Sequence, residues 1–293
     1  MRPHSIVDAR SRAIPVLLIC VGVFLIAINA AAAKWLVDRY TPLQILFARS
    51  LLAFPLVAIA TYWFGGKRAF KSHRVSVHVI RGLLTVTEIL AYVESLDHLA
   101  LADATALIFT APIFVTLLSA PLLKEKLTAA RIIAISAGFI GGIIIIRPHD
   151  VSYQPATLLA FAAALLNACM LLSSRWIDGR DNFWTLMFYV ALFPLILSSH
   201  AIFTVWPHLI FSDAMLFCGI ALCGTLAPAL VSQAFRMAPA SSISPFDYTA
   251  LIWAILLGWV FWGEHPGLWT WVGATVIVAS GILLIFTEKG QET

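Results

Sequence analysis

Residues Leu99–Pro148 read LALADATALIFTAPIFVTLLSAPLLKEKLTAARIIAISAGFIGGIIIIRP, two long apolar runs joined by the charged turn Lys124-Glu125-Lys126. Each run is typical of a membrane-spanning helix, because it is too long for the core of a soluble domain. The pattern returns without a gap at Ala238–Thr287, where two apolar runs flank the turn Gly263-Glu264-His265. Few positions are identical, but Glu125 falls on Glu264. The sequence therefore predicts one unit used twice.

The composition indicates a chain that lies in a lipid bilayer. Hydrophobic residues make up 61% of it and charged residues 12%, and the mean hydropathy is +0.92. A soluble globular chain has about 25% charged residues. Apolar runs of about 20 residues, enough to cross the hydrocarbon core, recur throughout. We predict an all-α integral membrane protein with ten transmembrane helices, at 14–34, 43–64, 76–96, 100–122, 128–147, 155–175, 183–204, 213–236, 241–262 and 267–286.

The ten spans divide into two halves, residues 14–147 and 155–286, of five helices each. Their beginnings also match, because Lys34-Trp35 ends the first span and Arg175-Trp176 ends the sixth. Five is an odd number, so the second half starts from the opposite side of the membrane. We therefore expect two inverted five-helix repeats, an architecture in which transporters bind substrate near the bilayer midplane and expose it alternately to each side.

The basic residues predict the orientation. Most of the 19 Lys and Arg residues fall on alternate loops. The positive-inside rule then places both termini in the cytoplasm, and we expect the protein in the inner membrane of the cell. This distribution along loops argues against a nucleic-acid partner, which the net charge of +4 would otherwise suggest. The expected partners are the lipid bilayer and a small-molecule metabolite.

Ionisable groups within membrane spans are costly, so each is a candidate for function. Glu88 lies mid-span on one helix face with Thr85, Tyr92 and Ser95. A carboxyl group in hydrocarbon takes up a proton more readily than one in water, so Glu88 is a candidate for proton coupling. The alternative is a structural hydrogen bond to a neighbouring helix.

Arg49 and Asp247 are the other two candidates. Arg49 lies about two helical turns into the second span, where it either pairs with Glu88 or holds an anionic group of a substrate. Asp247 follows Pro245 near the inner end of the ninth span. It either complements the positive end of that helix or acts as a proton-coupling group.

Further polar and aromatic residues mark helix faces that could line a cavity. Thr105 and Phe109 in the fourth span match Ser244 and Tyr248 in the ninth, so a hydroxyl beside an aromatic ring occurs twice. Such faces serve either packing or recognition. The predicted substrate contacts are Asn29, Arg49, Tyr92, Phe109, Gln233, Tyr248 and Trp253.

Gly138 and Gly142 form a ridge of small residues in the fifth span. Such a ridge lets a neighbouring helix approach closely. It suits either packing within the bundle or a homodimer interface, and the sequence leaves both open.

The sequence contains no pattern of a nucleophile, a nucleotide-binding loop or a metal site. The four cysteines lie in apolar spans without CxxC spacing, as small core residues do. No HExxH, GxSxG or Walker motif occurs. We therefore predict no enzyme, no metal and no cofactor.

The chain resembles the drug/metabolite transporter superfamily, and within it the EamA family of ten-helix carriers. The similar stretches are Ala48-Arg49-Ser50, Leu101–Leu107, Pro112-Ile113-Phe114, Glu125, Pro245–Ala250 and Gly263-Glu264. The resemblance implies a secondary carrier of a small polar or amphipathic metabolite or drug, moving by alternating access. The alternatives are an uncoupled uniporter or exchanger of the same fold, and a membrane assembly subunit that transports nothing.

Overall fold

The computed structural model describes residues 5–123, 129–146, 154–177, 181–238 and 243–289, and in these ranges every regular element is helical. The fold is therefore all-α, as predicted. The α-helices are α1 Ser5–Val37, α2 Pro42–Ala60, α3 Val75–His98, α4 Leu101–Ile108, α5 Ala111–Leu123, α6 Ala129–Ile146, α7 Gln154–Leu172, α8 Phe183–Ser198, α9 Phe211–Met237, α10 Thr249–Trp262 and α11 Leu268–Lys289.

The helices have the length and the surface of membrane-spanning segments. Seven apolar segments in the described ranges are long enough to cross a bilayer, and three shorter ones are Ile132–Ile145, Phe246–Trp262 and Leu268–Leu283. Each overlaps one of the ten predicted spans. Large apolar side chains also face outward, as in Leu17, Ile133 and Val260, which are 64%, 63% and 67% exposed. Such a surface requires lipid around it, so this is a multi-pass membrane protein.

The fourth predicted span is not one helix. Helix α4 ends at Ile108 and α5 begins at Ala111, with a turn at Phe109 and Thr110 between them. The Thr110 hydroxyl donates a hydrogen bond of 2.7 Å to the carbonyl oxygen of Leu107. Pro112 lies in the first turn of α5, where a proline needs no backbone N–H partner. The predicted span is confirmed as one apolar segment, Leu101–Ser119, with a local irregularity of the helix at Phe109 and Thr110.

The ninth span has a related irregularity at its beginning. Residues Ser244–Tyr248 form a 3₁₀ turn, and α10 continues from Thr249. Pro245 occupies the start of this turn, which accommodates its missing N–H. The two matched spans thus both contain non-α-helical backbone, directly after Ile108 and directly before Thr249.

Glycine residues let helices α6 and α11 approach closely. A Cβ atom on Gly141 would lie 2.9 Å from the carbonyl oxygen of Gly273, and one on Gly273 would lie 2.6 Å from that of Gly141. Gly138 faces Ile113 of α5 and Ser280 of α11. The small-residue ridge therefore serves packing within this chain, as one of the two alternatives stated. A homodimer stays a prediction.

One end of the bundle, the Glu264 end, is held by a buried ion pair. Gly263 closes α10 with a positive φ of 64°, which a glycine adopts without steric cost. Glu264 then accepts hydrogen bonds from Lys34 Nζ at 2.5 Å and from the backbone N–H of Leu101 at 2.9 Å. Lys34 also donates to the carbonyl oxygen of Leu99. Glu264 thus joins the ends of α1 and α10 to the start of α4. Its counterpart Glu125 lies outside the described residues.

The opposite end, the Asp181 end, has a buried carboxylate of its own. Asp181 Oδ2 accepts from the Ser72 hydroxyl at 2.5 Å and lies 3.0 Å from His78 Nε2, and Oδ1 accepts from the backbone N–H of His73 at 3.3 Å. The His78 ring stacks on Tyr189, with centroids 4.6 Å apart. Burial raises the pKa of Asp181, but the hydrogen bonds from Ser72, His78 and His73 outweigh it and hold the pKa below its ordinary value.

We expect Asp181→Asn to destabilise the folded protein by about 1–3 kcal/mol, because it removes the charge from three hydrogen bonds. The folded-state pKa lies below the unfolded one, so this stabilisation is present above the ordinary aspartate pKa and is lost as pH falls through the lowered value. Thermal unfolding at neutral and at acidic pH checks this. A difference between wild type and variant that stays constant down to strongly acidic pH would contradict it.

Candidate functional site

Two hydrogen-bond donors meet inside the bundle above Gly224 of helix α9. A Cβ atom on Gly224 would lie 3.1 Å from Arg49 Nη2 of α2 and 3.1 Å from Asn29 Nδ2 of α1. Asn29 is held there because its Nδ2 also donates to the carbonyl oxygen of Ile220 at 2.9 Å. The predicted substrate contacts Asn29 and Arg49 are therefore neighbours.

Glu88 of α3 forms a second polar contact, with helix α7. Its Oε1 accepts a hydrogen bond of 2.6 Å from Asn167 Nδ2 of α7. Among the ion pairs of the described residues there is none between Glu88 and Arg49. The structural hydrogen bond proposed as an alternative for Glu88 is therefore present, whereas a direct ion pair with Arg49 is not.

Arg49 differs from Arg81 of α3 in its contacts. The Arg81 guanidinium donates to the carbonyl oxygen of Met170 and to the Ser173 hydroxyl, both at 3.0 Å. In the described part of the chain, the Arg49 guanidinium forms neither a hydrogen bond nor an ion pair. Arg81 is thus a structural residue, whereas Arg49 has donors free for a ligand.

We use the name polar cluster for Asn29, Arg49, Glu88, Asn167 and Gly224. These residues come from five helices and form two contacts: Asn29 and Arg49 pack over Gly224, and Asn167 donates a hydrogen bond to Glu88. Asn167 was visible in the sequence only as a polar residue within an apolar span. Nothing in the sequence marked Gly224 as a site residue, because a glycine in a helix does not indicate which side chains of other helices pack against it.

The predicted aromatic contacts lie along a path that leads away from the polar cluster. Tyr92 is one turn beyond Glu88 on α3, and it interacts with the side chain of Thr105 on α4. Phe109 follows one turn later and packs against Tyr248 with ring centroids 5.1 Å apart. The two non-α-helical segments of the fourth and ninth spans therefore meet through these rings.

Trp253 belongs to the same apolar region. Its ring lies 4.6 Å from that of Phe24, centroid to centroid. Both Phe109 and Trp253 pack against the buried cluster that contains Ile243 and Ala250. Trp253 is thus partly buried against the bundle, and its role as a substrate contact stays a prediction.

Asp247 lies in the 3₁₀ turn that precedes α10, and its residue is partly buried. It is the acidic residue of the first turn of that segment, the position at which a carboxylate complements the positive end of a helix. The described residues offer it no ion pair. The placement therefore fits the structural alternative, and proton coupling stays a prediction.

Gln233 lies apart from the polar cluster. It is exposed and lines a cavity of about 410 Å³ at the Asp181 end, together with Asn182, Phe183, Trp184, Ala229, Ser232 and Arg236. Nine residues of α9 separate it from Gly224, a rise of about 14 Å. Gln233 is therefore separated from the other predicted substrate contacts on α1 and α2.

The arrangement is suited to binding rather than to covalent chemistry. Within the described residues, no three His, Cys, Asp or Glu side chains lie together as metal ligands would. The polar cluster instead combines one cation, one anion and two carboxamides in an apolar surrounding. Such a set orients a polar ligand by hydrogen bonds.

Comparisons with known proteins identify a family and several relatives. The EamA-like transporter family matches residues 13–147 and again residues 154–287. The S-adenosylmethionine uptake transporter of Rickettsia bellii is 26% identical, over 92% of this chain and 94% of its own length. The riboflavin transporter of Vibrio cholerae is 30% identical over 78% of each chain. The pseudopaline exporter of Pseudomonas aeruginosa is 25% identical over 94% and 97%.

A solved crystal structure has the same fold. It superposes with a TM-score of 0.64 at 18% identity, and the match covers 95% of this chain and 99% of the other.

Proposed function

Since the chain belongs to the EamA-like transporter family, we propose that it is a secondary carrier that moves a small polar or amphipathic metabolite across the inner membrane by alternating access. The observation that carries the proposal is the polar cluster within an apolar bundle, beside two spans with interrupted helices. Polar groups and irregular backbone at membrane depth are tolerated where they line a water-filled or ligand-filled cavity. Discontinuous helices at the substrate site are typical of transporters.

The helix contacts support the proposal of two inverted repeats, residues 14–147 and 155–286. Helix α1 packs on α9 as α7 packs on α3, and α2 packs on α9 as α8 packs on α3. Helix α1 packs on α10 as α7 packs on α4 and α5. If each span of the first half is replaced by the corresponding span of the second half, and the reverse, the first helix pair in each comparison becomes the second pair. An exchange of this kind is the basis on which alternating access opens one side and closes the other.

The charge distribution supports an orientation with both termini and the Asp181 end in the cytoplasm. Four basic residues lie beside Ser72 at that end, namely Lys67, Arg68, Lys71 and Arg74. Basic residues in short loops mark the cytoplasmic side. The cavity that contains Gln233 then opens to the cytoplasm.

For proton coupling we favour Asp247 over Glu88. The carboxyl group of Glu88 is already engaged in a hydrogen bond of 2.6 Å from Asn167. Asp247 has no such partner in the described residues. A partly buried carboxyl group without fixed partners can take up and release a proton when the carrier changes the side of the membrane to which its cavity opens.

Uptake into proteoliposomes tests the function. The purified protein is reconstituted, and accumulation of radiolabelled S-adenosylmethionine and of riboflavin is measured against protein-free liposomes, with and without an imposed pH gradient. We expect saturable uptake of one of them, enhanced by the gradient. Uptake without an effect of the gradient would make the protein a uniporter or exchanger. The absence of any uptake by folded protein, across a panel of metabolites, would favour the assembly subunit.

We expect Asp247→Asn to abolish the enhancement of uptake by the pH gradient while exchange without a gradient continues, because the asparagine cannot carry a proton. Asp38→Asn is the control, since Asp38 is an exposed carboxylate outside the spans. Enhancement that survives in Asp247→Asn and is lost in Glu88→Gln would assign the coupling to Glu88 instead.

A further inference from the structure

Within the described residues, two ion pairs join different helices at the Glu264 end of the bundle. Asp213 accepts hydrogen bonds from Arg39 Nη1 and from the Tyr40 hydroxyl, both at 2.8 Å. These bonds join the connection between α1 and α2 to the start of α9. Lys34 and Glu264 instead join the end of α1 to the end of α10. The internal repeat of the chain indicates which of the two pairs is permanent.

The tie at Asp213 has a counterpart at the Asp181 end. When the two halves are matched at their Lys-Trp and Arg-Trp dipeptides, Tyr40 falls on Asp181 and Ser72 falls on Asp213. The bond from Tyr40 to Asp213 therefore corresponds to the bond of 2.5 Å from Ser72 to Asp181, with the carboxylate on the other partner. A carrier opens its two ends in turn, so a bond that is formed at both ends at once is a static tie.

The carboxylate of Glu264 is held in place by α10 itself. Its backbone N–H donates to the carbonyl oxygen of Gly258 at 3.1 Å, as in the C-terminal turn of many helices. The side chain lies back over the same glycine, where a Cβ atom would be 2.9 Å from Oε2. The carboxylate therefore stays with α10, and the groups that can separate from it are the ammonium group of Lys34 and the backbone N–H of Leu101.

Water reaches this ion pair from the outside of the bundle. Lys34 and Glu264 lie in the wall of a cavity of about 430 Å³ at the Glu264 end. The other titratable residues that line it are Asp38, Asp97, His98 and His265. Because the cavity admits water, both charges can be hydrated when they separate, which lowers the cost of breaking a buried pair.

A layer of buried apolar side chains lies between the ion pair and the middle of the bundle. The four alanines Ala30–Ala33 of α1 belong to one buried cluster with Leu101 of α4 and Ala254 of α10. Asn29 precedes Lys34 by five residues on α1, a rise of about 7.5 Å toward the middle. The ion pair therefore holds the outer edge of the layer that closes this end.

We infer, on the basis of the proposed function, that the pair of Lys34 and Glu264 is the gate at the Glu264 end of the carrier. The pair is formed while this end is closed, as in this structure, and broken while it is open. Opening moves α1 and α4 of the first half away from α10 of the second half. The tie between Tyr40 and Asp213 is kept in both states.

Reactivity of a cysteine beneath the gate tests the inference on the purified full chain in detergent, where both ends are accessible. Ala254 lies one turn before Gly258 on the same face of α10 and is 1% exposed. Ala254→Cys is treated with a charged methanethiosulfonate reagent. Mass spectrometry then follows the labelling of position 254 separately from the four native cysteines. The rate of labelling measures how often the Glu264 end opens.

We expect Lys34→Met in this background to raise the labelling rate roughly 5- to 30-fold, as for the loss of one charged hydrogen-bonded contact. Tyr40→Phe is the matched control at the same end. It removes one hydrogen bond from the static tie, so it lowers the stability without raising the labelling rate. Thermal unfolding of each variant shows that the labelled protein is folded.

Gly258→Ala tests the gate with both charges kept. The added methyl group displaces Oε2 of Glu264 and weakens its bond to the N–H of Leu101, while its contacts with the Cβ atoms of Glu264 and Leu101 are ordinary at 3.7 Å. We expect the labelling rate to rise here too, by less than in Lys34→Met. Gly219→Ala is the control, because a Cβ atom there meets nothing within 4 Å.

The inference is overturned if Lys34→Met and Gly258→Ala are labelled no faster than the parent, or if Tyr40→Phe is labelled as fast as Lys34→Met. Uptake by the wild type decides on the proposed function separately. Uptake together with unchanged labelling removes the gate and leaves the carrier. The absence of uptake of any metabolite removes the carrier, and the gate with it.

Discussion

An Arg49→Met variant is expected to lose at least roughly 10-fold in transport rate at low substrate concentration while its thermal stability stays equal to that of the wild type or rises. The rate falls because the guanidinium that we propose holds an anionic group of the substrate is absent. The stability does not fall because Arg49 gives no hydrogen bond to the described residues. Replacing an unpaired cation in an apolar site by a side chain of similar length removes a desolvation cost, the usual trade between function and stability.

Arg81→Met is the matched control for this prediction. Arg81 donates to Met170 and Ser173, so its replacement removes two hydrogen bonds from a charged donor and lowers the stability. Transport per folded molecule should remain. The prediction is contradicted if Arg49→Met unfolds at a lower temperature than Arg81→Met and transports normally once folded. Uptake assays and thermal unfolding in the same detergent measure both quantities.

Glu264→Ala is expected to destabilise the protein by about 3 kcal/mol, the lower end of the range for breaking a buried ion pair. The lower end applies because the pair is only partly buried: the side chain of Glu264 is 21% exposed and that of Lys34 is 10% exposed. The variant leaves the ammonium group of Lys34 and the N–H of Leu101 without the carboxylate. The starts and ends of α1, α4 and α10 lose their common anchor.

A double mutant separates the effect of leaving Lys34 without its partner from the effect of changing residue 264 itself. Lys34→Met combined with Glu264→Met removes both charges, so we expect it to recover much of the lost stability. Glu94→Ala, an exposed carboxylate at the same end, should change stability little. Equal stability of Glu264→Ala and the wild type would show that Lys34 finds another partner.

Hydropathy located the spans because every helix that crosses a membrane needs a long run of apolar residues. Residues 76–96 were predicted and α3 occupies Val75–His98; residues 213–236 were predicted and α9 occupies Phe211–Met237. The break at Phe109 and Thr110 escaped because it changes the hydrogen bonds of the backbone but not the polarity of the residues. Pro112 was the available signal, and prolines such as Pro55 inside α2 show that this signal alone does not specify a break.

The site could be predicted residue by residue but not as an arrangement. Arg49, Glu88 and Asn29 were found because polar groups within hydrocarbon are costly and therefore stand out. Which of them meet depends on the rotation and spacing of five helices, which a single sequence does not encode in a readable form. Gln233 shows the consequence, since its polarity fits a substrate contact, while α9 places it at the Asp181 end. Gly224 shows the reverse, because its contribution is the absence of a side chain.

Counterflow is the measurement that tests alternating access most directly. Proteoliposomes are loaded with unlabelled substrate at high concentration and diluted into a trace of the same substrate in labelled form, without a pH gradient. A carrier whose site faces one side at a time exchanges label for unlabelled molecules, so we predict that internal label rises transiently above its equilibrium level and then declines. A steady rise to equilibrium without that overshoot would contradict alternating access and indicate a pore or passive leak.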